Sequence, residues 1–214
     1  GRLASAREAF AKRPWPFAGV QVFDDIDIAR AGAHGGEDGA VIIVGTGSAA
    51  LAMVDGVRHQ CGGWGFHVGD QMSGAILGRE LVRRAVEATD GLVSGSPLTE
   101  KVVETLGGSL EAVMDWSFGD RRPADYAALI PLFMEYYEKG DPVAQELMAL
   151  ELSYIDNYVN WFKRRGVRRM AAVGGFGTRL YPLLVERYGD FIVPPRHEPI
   201  HGALILAKQI FGPE

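Results

Sequence analysis

The chain has 214 residues, of which 47% are hydrophobic and 23% charged, values typical of a globular protein with one large domain. Its formal net charge of −5 offers no electrostatic attraction to nucleic acid or to an acidic membrane. Cys61 is the only cysteine, which excludes a disulfide framework, a thiolate zinc site and an iron–sulfur cluster within one chain. The sequence has no apolar run of membrane-spanning length and no signal peptide at its start, so we expect a cytoplasmic protein.

Residues 1–39 are predicted to contain two short helices and one extended segment. An alanine-rich stretch from Leu3 to Lys12 predicts a helix, which the prolines that follow cannot continue. Val20 to Phe23 predicts a short strand, and a second helix is expected from Asp27 to Ala33.

A unit of three antiparallel strands is predicted next. Ala40 to Val44 is an apolar, β-branched run typical of a buried strand, and Ala49 to Val54 returns from it. The tetrapeptide Gly45-Thr46-Gly47-Ser48 is the turn between them. After the turn signal Asp55-Gly56, a third strand is expected from Val57 to Cys61.

Helices dominate the second half of the sequence. They are predicted at about residues 72–88, 97–106, 124–138 and 142–165. Later elements are a buried strand (Met170 to Val173), a helix (about Arg179 to Tyr188), a strand (Phe191 to Val193) and a helix (Pro199 to Ile210). This order predicts a ribonuclease-H-like α/β domain with a mixed five-stranded sheet, helices on both faces and a helical insertion at about 97–165.

Gly45-Thr46-Gly47-Ser48 is the first segment whose residues suit ligand binding. Glycines let backbone amides approach an anion closely, and the hydroxyls of Thr46 and Ser48 add donors. An ordinary hairpin turn explains the same residues, so this segment alone does not identify a site.

A second glycine-rich segment runs from Gly62 to Asp70 and includes Trp64. Ordering so many glycines costs conformational entropy, which favours a binding role over a simple loop. The face of Trp64 suits a sugar ring, and the carboxylate of Asp70 can accept hydrogen bonds from sugar hydroxyls. The alternative is a core tryptophan in a tight turn, with Asp70 as the N-cap of the next helix.

Two more candidate segments lie at the ends of predicted strands. Asp24 and Asp25 place adjacent carboxylates where one of them can act as a general base. A solvated turn before a helix explains this pair better when only the local sequence is considered. Gly174-Gly175 lie between a strand and a helix, where a nucleotide can rest against the backbone. Their spacing is not that of the dinucleotide fingerprint, and no GxxxxGK[ST] loop is present.

In this order, the four segments resemble those of the BadF/BadG/BcrA/BcrD-type ATPase family, in its N-acetylglucosamine and glucosamine kinase branch, within the hexokinase/Hsp70/actin ATPase superfamily. The most specific element is the string from Gly62 to Gly74, GGWGFHVGDQMSG. The resemblance covers nearly the whole chain. It implies the C-terminal portion of an ATP-dependent kinase that phosphorylates N-acetylglucosamine or glucosamine at the 6-hydroxyl.

The resemblance also implies roles for individual residues. Asp25 would be the base that activates the 6-hydroxyl. The residues that would lie at the sugar are Asp24, Thr46, Trp64 and Asp70. The nucleotide would be bound by Gly45-Thr46-Gly47-Ser48 and by Gly174-Gly175, with magnesium bridging the phosphates of ATP.

The sequence departs from the family pattern in three respects. The N-terminal Asp-Gly-Gly-Gly-Thr phosphate hairpin is absent, so an upstream domain would be truncated or supplied by another chain. Residues 1–39 are accordingly interpreted as the end of the N-terminal domain with the catalytic acidic turn, and residues 40–214 as the C-terminal domain. Asp24 stands where relatives often have Asn, and Met72 where a Gly is usual, which would narrow the loop beside the sugar.

Two other functions stay open at this point. One is an ATPase activator of 2-hydroxyacyl-CoA dehydratases, which holds an iron–sulfur cluster with paired cysteines at a dimer interface; Cys61 alone fits this poorly. The other is a non-enzymatic sugar sensor, which would need Trp64 and Asp70 but neither Asp25 nor Gly174-Gly175. The expected partner is a small amino sugar, and a homodimer is left open.

Overall fold

Ten α-helices and four strands make up the part of the chain that the computed structural model describes, residues 2–212. The elements before the large helical region are α1 (Arg2–Ala11), α2 (Asp25–His34), β1 (Gly39–Val44), β2 (Ser48–Val54) and β3 (Val57–Gly62). The elements that follow are α3 (Gly74–Thr89), α4 (Pro97–Thr105), α5 (Leu110–Phe118), α6 (Pro123–Ala127), α7 (Ile130–Glu138), α8 (Pro142–Lys163), β4 (Met170–Val173), α9 (Gly175–Tyr188) and α10 (Pro199–Phe211).

The four strands form one mixed sheet in the order β3-β2-β1-β4. β1 and β2 pair antiparallel and form a tight hairpin that closes at the pair Val44 and Ser48. β3 continues the antiparallel arrangement, whereas β4 lies parallel to β1, with Met170 beside Ala40. β1 is apolar throughout because it is a central strand with both faces covered.

Helices cover both faces of the sheet, as predicted. Alternate side chains of β1, including Ile42 and Val44, point into the larger core, which α3, α4 and α7 to α9 complete. The side chains between them point the other way, where Val41 packs with Ile26 of α2. α10 covers α2 on that side. The hairpin tip between β1 and β2 therefore lies at one edge of a well-supported sheet.

The predicted fifth strand and the predicted N-terminal strand are both wrong. Phe191 ends a short 3₁₀ turn, and Ile192 forms only an isolated parallel bridge with Met170. Pro194 and Pro195 follow directly, and prolines lack the amide that a longer ladder needs. Residues 20–23 form no ladder with any strand within residues 2–212, and an extended segment without a paired neighbour is not a strand.

The helical insertion is divided more finely than the sequence indicates. The single helix predicted at 124–138 is two helices, and Pro131 lies in the first turn of the second, where its missing amide costs nothing. The sequence analysis missed α5, whose N-cap Ser109 accepts a hydrogen bond from the Ala112 amide. None of the helices within residues 2–212 is long and apolar enough to cross a membrane.

A buried carboxylate joins two helices of the insertion. Asp141, the N-cap of α8, accepts hydrogen bonds from the amides of Val143 and Ala144 at 3.0 and 3.1 Å. The same carboxylate accepts from the Ser96 hydroxyl at 2.8 Å and from the Leu98 amide at 3.0 Å. One side chain thus joins the starts of α4 and α8.

Candidate functional site

The tip of the β1–β2 hairpin is held against the start of α3. The carbonyl oxygens of Gly45 and Thr46 accept hydrogen bonds from the amides of Gly74 and Ala75, at 2.8 and 3.3 Å. The hydroxyl of Ser73, the N-cap of α3, accepts from a further amide of the first turn. These free amides of α3 are therefore satisfied within the protein, and the helix fixes the position of the turn.

Asp70 lies between the hairpin tip and the glycine-rich segment. Its side chain is buried, with 8% exposure, and its φ of 60° is in the left-handed region. Oδ1 accepts a hydrogen bond from the Gly65 amide at 3.3 Å, and Oδ2 is 3.0 Å from where a Cβ on Gly47 would lie. Because Ser73 is the N-cap of α3, the alternative interpretation of Asp70 as that cap is wrong.

The β4–α9 junction packs directly beside the same hairpin. Gly174 has a φ of 93°, and a Cβ on it would lie 2.6 Å from the Val44 carbonyl oxygen, so only glycine fits there. A cleft of about 350 Å³ lies between the hairpin turn and this junction. Its lining consists of Gly45, Thr46, Gly74, Ala127, Ile130, Pro131, Gly175, Phe176 and Arg179.

This cleft brings together the two segments that are expected to bind the nucleotide. Thr46 and Gly175 line one space, as predicted for segments that share a ligand. Arg179, the charged residue among those that line the cleft, was missed, although it follows Gly175 by four residues and so lies on the same face of α9. Ala127, Ile130 and Pro131 of the insertion were also missed, because only the fold brings them near.

The other predicted site residues differ in their exposure and in their distance from the cleft. Thr46 is exposed, whereas the Ser48 hydroxyl is buried and has no hydrogen-bond partner among the described residues. Trp64 is 76% exposed and lies outside the cleft, over a groove beside α8. Met72 is completely buried in the larger core, so the expectation that it narrows the loop beside a sugar is wrong.

The acidic pair lies at the start of α2. Asp24 is the N-cap residue; its carboxylate forms an ion pair with Arg7 and is 4.0 Å from Arg58. Asp25 is exposed, and its Oδ1 accepts a hydrogen bond from the Ile26 amide at 2.8 Å. Asp25 does not line the cleft, and among residues 5–212 it forms no ion pair, so its carboxylate is free to approach a ligand.

Comparison with known proteins places this arrangement among sugar kinases. The glucosamine kinase of Vibrio cholerae is 31% identical over 202 residues, which are 94% of this chain and 68% of that protein. The N-acetyl-D-glucosamine kinase of Dictyostelium discoideum is 28% identical over 141 residues, 64% of this chain and 44% of that protein. The crystal structure of a proposed N-acetylglucosamine kinase from Chromobacterium violaceum superposes with a TM-score of 0.83 at 32% identity, covering 93% of this chain and 70% of that one.

The mixed sheet and the cleft at its hairpin tip define the ribonuclease-H-like domain of the actin-like ATPases. The chain belongs to the BadF/BadG/BcrA/BcrD ATPase family, whose model matches residues 20–207.

Proposed function

We propose that the protein is an ATP-dependent kinase that phosphorylates an amino sugar, N-acetylglucosamine or glucosamine, at its 6-hydroxyl. The observation that carries the proposal is the position of the hairpin turn. Gly45 and Thr46 line the cleft beside α9, while Gly47 touches the buried carboxylate of Asp70. One rigid turn therefore has a phosphate-binding surface and a hydroxyl-binding carboxylate next to each other, and the relatives from Vibrio cholerae and Dictyostelium discoideum are amino-sugar kinases.

The cleft suits the phosphates of ATP. The hydroxyl of Thr46 and the guanidinium of Arg179 offer hydrogen-bond donors. The first amides of α9 lie at the N-terminus of that helix, the end that favours anions. Gly174 allows this helix start to approach the hairpin within contact distance. A Mg²⁺ ion would be held through the phosphates of ATP. There it would neutralise charge on the phosphates.

The acidic residues take different parts in the proposed reaction. Asp70 accepts hydrogen bonds from sugar hydroxyls and so orients the ring, and Asp24 keeps the start of α2 in place through its ion pair with Arg7. Asp25 accepts the proton of the sugar 6-hydroxyl while the 6-oxygen attacks the terminal phosphorus of ATP, and ADP departs. Trp64 presents its exposed ring to the sugar.

The test is a coupled assay of ADP formation with the full-length protein, ATP, Mg²⁺ and a panel of N-acetylglucosamine, glucosamine and glucose. We expect ADP to form only with a sugar present and the product to be the 6-phosphate, identified by NMR. ATP hydrolysis that is independent of sugar would contradict the proposal in favour of an activator-type ATPase. Sugar binding without any turnover would favour a sensor.

A further inference from the structure

A second groove, of which the proposed reaction uses only Trp64, lies between the glycine-rich segment and α8. It has a volume of about 350 Å³. The residues that line it are Cys61, Gly62, Trp64, Gln71, Tyr154, Asn157, Tyr158 and Trp161. Two indoles and two phenols dominate this lining, and it contains neither a carboxylate nor a basic group. Burial raises the pKa of the Cys61 thiol to about 11, so this side chain is neutral as well.

The groove has fixed walls. Gly62 has a φ of 72°, and a Cβ on it would lie 2.9 Å from the Tyr158 hydroxyl, so glycine is needed for the close approach of the two walls. The Arg165 guanidinium lies 3.7 Å from the centre of the Trp161 ring, and His59 meets the edge of that ring. Trp161 is thereby held from its outer side and presents its remaining surface to the groove.

The groove adjoins the carboxylate assigned to the sugar. A Cβ on Gly69 would lie 2.9 Å from the Trp64 Cβ, so Trp64 packs against the residue that precedes Asp70. Burial raises the pKa of Tyr158, and the negative charge of Asp70 contributes to this shift, which places phenol and carboxylate within electrostatic range. A ligand that is bound to Asp70 can thus extend a substituent into the groove.

The lining matches an amide that ends in a methyl group. The side chains of Gln71 and Asn157 are exposed and form no hydrogen bond with residues 5–212, so their amides can pair with an N–H and a C=O of a ligand. The aromatic rings offer apolar contact to the methyl group. A primary ammonium is strongly hydrated, and no carboxylate in the lining could pair with it once it is desolvated.

We propose that this groove binds the acetamido group at C2 of the sugar, which makes N-acetylglucosamine the substrate in preference to glucosamine. The proposal rests on the proposed function, since it takes the sugar to be bound at Asp70. The residues that determine the specificity are Asn157, Tyr158 and Trp161 of α8 and Gln71 of the glycine-rich segment.

The experiment compares kcat/KM for N-acetylglucosamine, glucosamine and glucose in the full-length protein and in Asn157→Asp. The wild type should prefer N-acetylglucosamine over glucosamine by about 10-fold or more, the range that one well-placed group supplies. Asn157→Asp keeps the shape but adds a negative charge, so activity with N-acetylglucosamine should fall about 10-fold and activity with glucosamine should rise. Asn160→Asp, on the same helix and outside the groove, is the matched control, and it should leave kcat/KM for both N-acetylglucosamine and glucosamine unchanged.

Equilibrium sugar binding, measured by calorimetry on the same proteins, separates the two proposals. A wild type that prefers glucosamine, or an Asn157→Asp variant whose three activities change by the same factor, would overturn the acetamido assignment and leave the kinase proposal intact. Selective binding of N-acetylglucosamine that Asn157→Asp abolishes, without any phosphate transfer, would overturn only the kinase proposal. Absence of binding for all three sugars to folded protein would overturn both.

Discussion

At the scale of single residues, the two carboxylates at the start of α2 differ: that of Asp24 is held in an ion pair and that of Asp25 is free. Asp24 is engaged by Arg7, whereas Asp25 accepts a hydrogen bond from the amide of the next residue, Ile26, and forms no ion pair among residues 5–212. An exposed carboxylate at a helix start can reach a substrate, but one held in an ion pair would have to give up its partner. The structure therefore supports the sequence-based choice of Asp25 as the candidate base.

We expect Asp25→Asn to lower kcat by roughly 10²- to 10⁴-fold, because the amide keeps the shape but cannot accept the proton. Sugar affinity should change much less. Asp24→Asn is the matched control, and it should retain most of its turnover while losing some thermal stability with the weakened pair to Arg7. A full loss in Asp24→Asn together with an active Asp25→Asn would mean that the roles are reversed.

Asp70 and Ser73 allow binding and helix capping to be separated. Asp70→Ala should weaken sugar binding by about 1–3 kcal/mol, because sugar hydroxyls and the Gly65 amide lose their acceptor. Ser73→Ala removes the cap of α3 and should lower the free energy of unfolding by about 0.5–2 kcal/mol with little effect on sugar affinity. Calorimetric binding and thermal melting of both variants check this; equal affinity in Asp70→Ala and the wild type would remove Asp70 from the site.

Sequence reasoning selected those candidate site residues whose neighbours in sequence carry the signal. Glycines beside Thr46, Trp64 and Gly174 mark tight backbone, and the structure shows the close contacts that require some of them. Arg179 and Ile130 carry no such mark, because an arginine or an isoleucine on a helix is explained equally well by solvent or by the core. The packing of the insertion against the hairpin reveals Ile130, and the packing of α9 beside the hairpin reveals Arg179.

At the scale of elements, Asp141 is the residue on which the helical insertion depends. Asp141→Ala would leave the Ser96 hydroxyl and the Leu98 amide without their acceptor inside the core and would uncap α8. We expect the free energy of unfolding to fall by about 2–4 kcal/mol, the combined effect of a lost cap and of unsatisfied buried donors. Urea unfolding measures it, and the exposed Asp115→Ala should stay within about 0.5 kcal/mol of the wild type.

The elements differ in how well their sequence pattern predicts their secondary structure. The hairpin strands were predicted almost residue by residue, since β1 is a buried apolar run with a glycine turn after it. The segment at 191–193 is also apolar, but Pro194 and Pro195 follow it directly, so it cannot extend into a ladder. Pairing partners, which decide whether an extended segment is a strand, are not encoded in the segment itself.

At the scale of the whole molecule, two buried titratable groups give stability opposite dependences on pH. Burial lowers the pKa of His34 from 6.5 to about 4, so stability falls as the pH drops through that interval, where only the unfolded chain takes up the proton. Burial raises the pKa of Glu151 well above 4.5. For that group the folded state retains the proton, and stability is lost as the pH rises above the unfolded value.

Glu151→Gln should therefore stabilise the protein at pH 8. The side chain is 2% exposed, and its Oε1 has no hydrogen-bond partner among the described residues, so a neutral amide of equal shape removes the cost of ionisation. We expect a gain of about 1–3 kcal/mol at pH 8 that vanishes near pH 4. Thermal melts across this pH range test the prediction. The control is Glu138→Gln, at an exposed position, whose melting temperature should change with pH as that of the wild type does.

The attachment of the hairpin turn to α3 also determines how this region opens. Because Gly74 and Ala75 donate to the carbonyls of Gly45 and Thr46, the turn cannot swing away without breaking both hydrogen bonds and leaving these first amides of α3 without their acceptors. The two should exchange their amide protons for deuterium as one cooperative unit. A single residue inserted into the turn would put both carbonyls out of register, so this hairpin should tolerate substitution better than any change in its length.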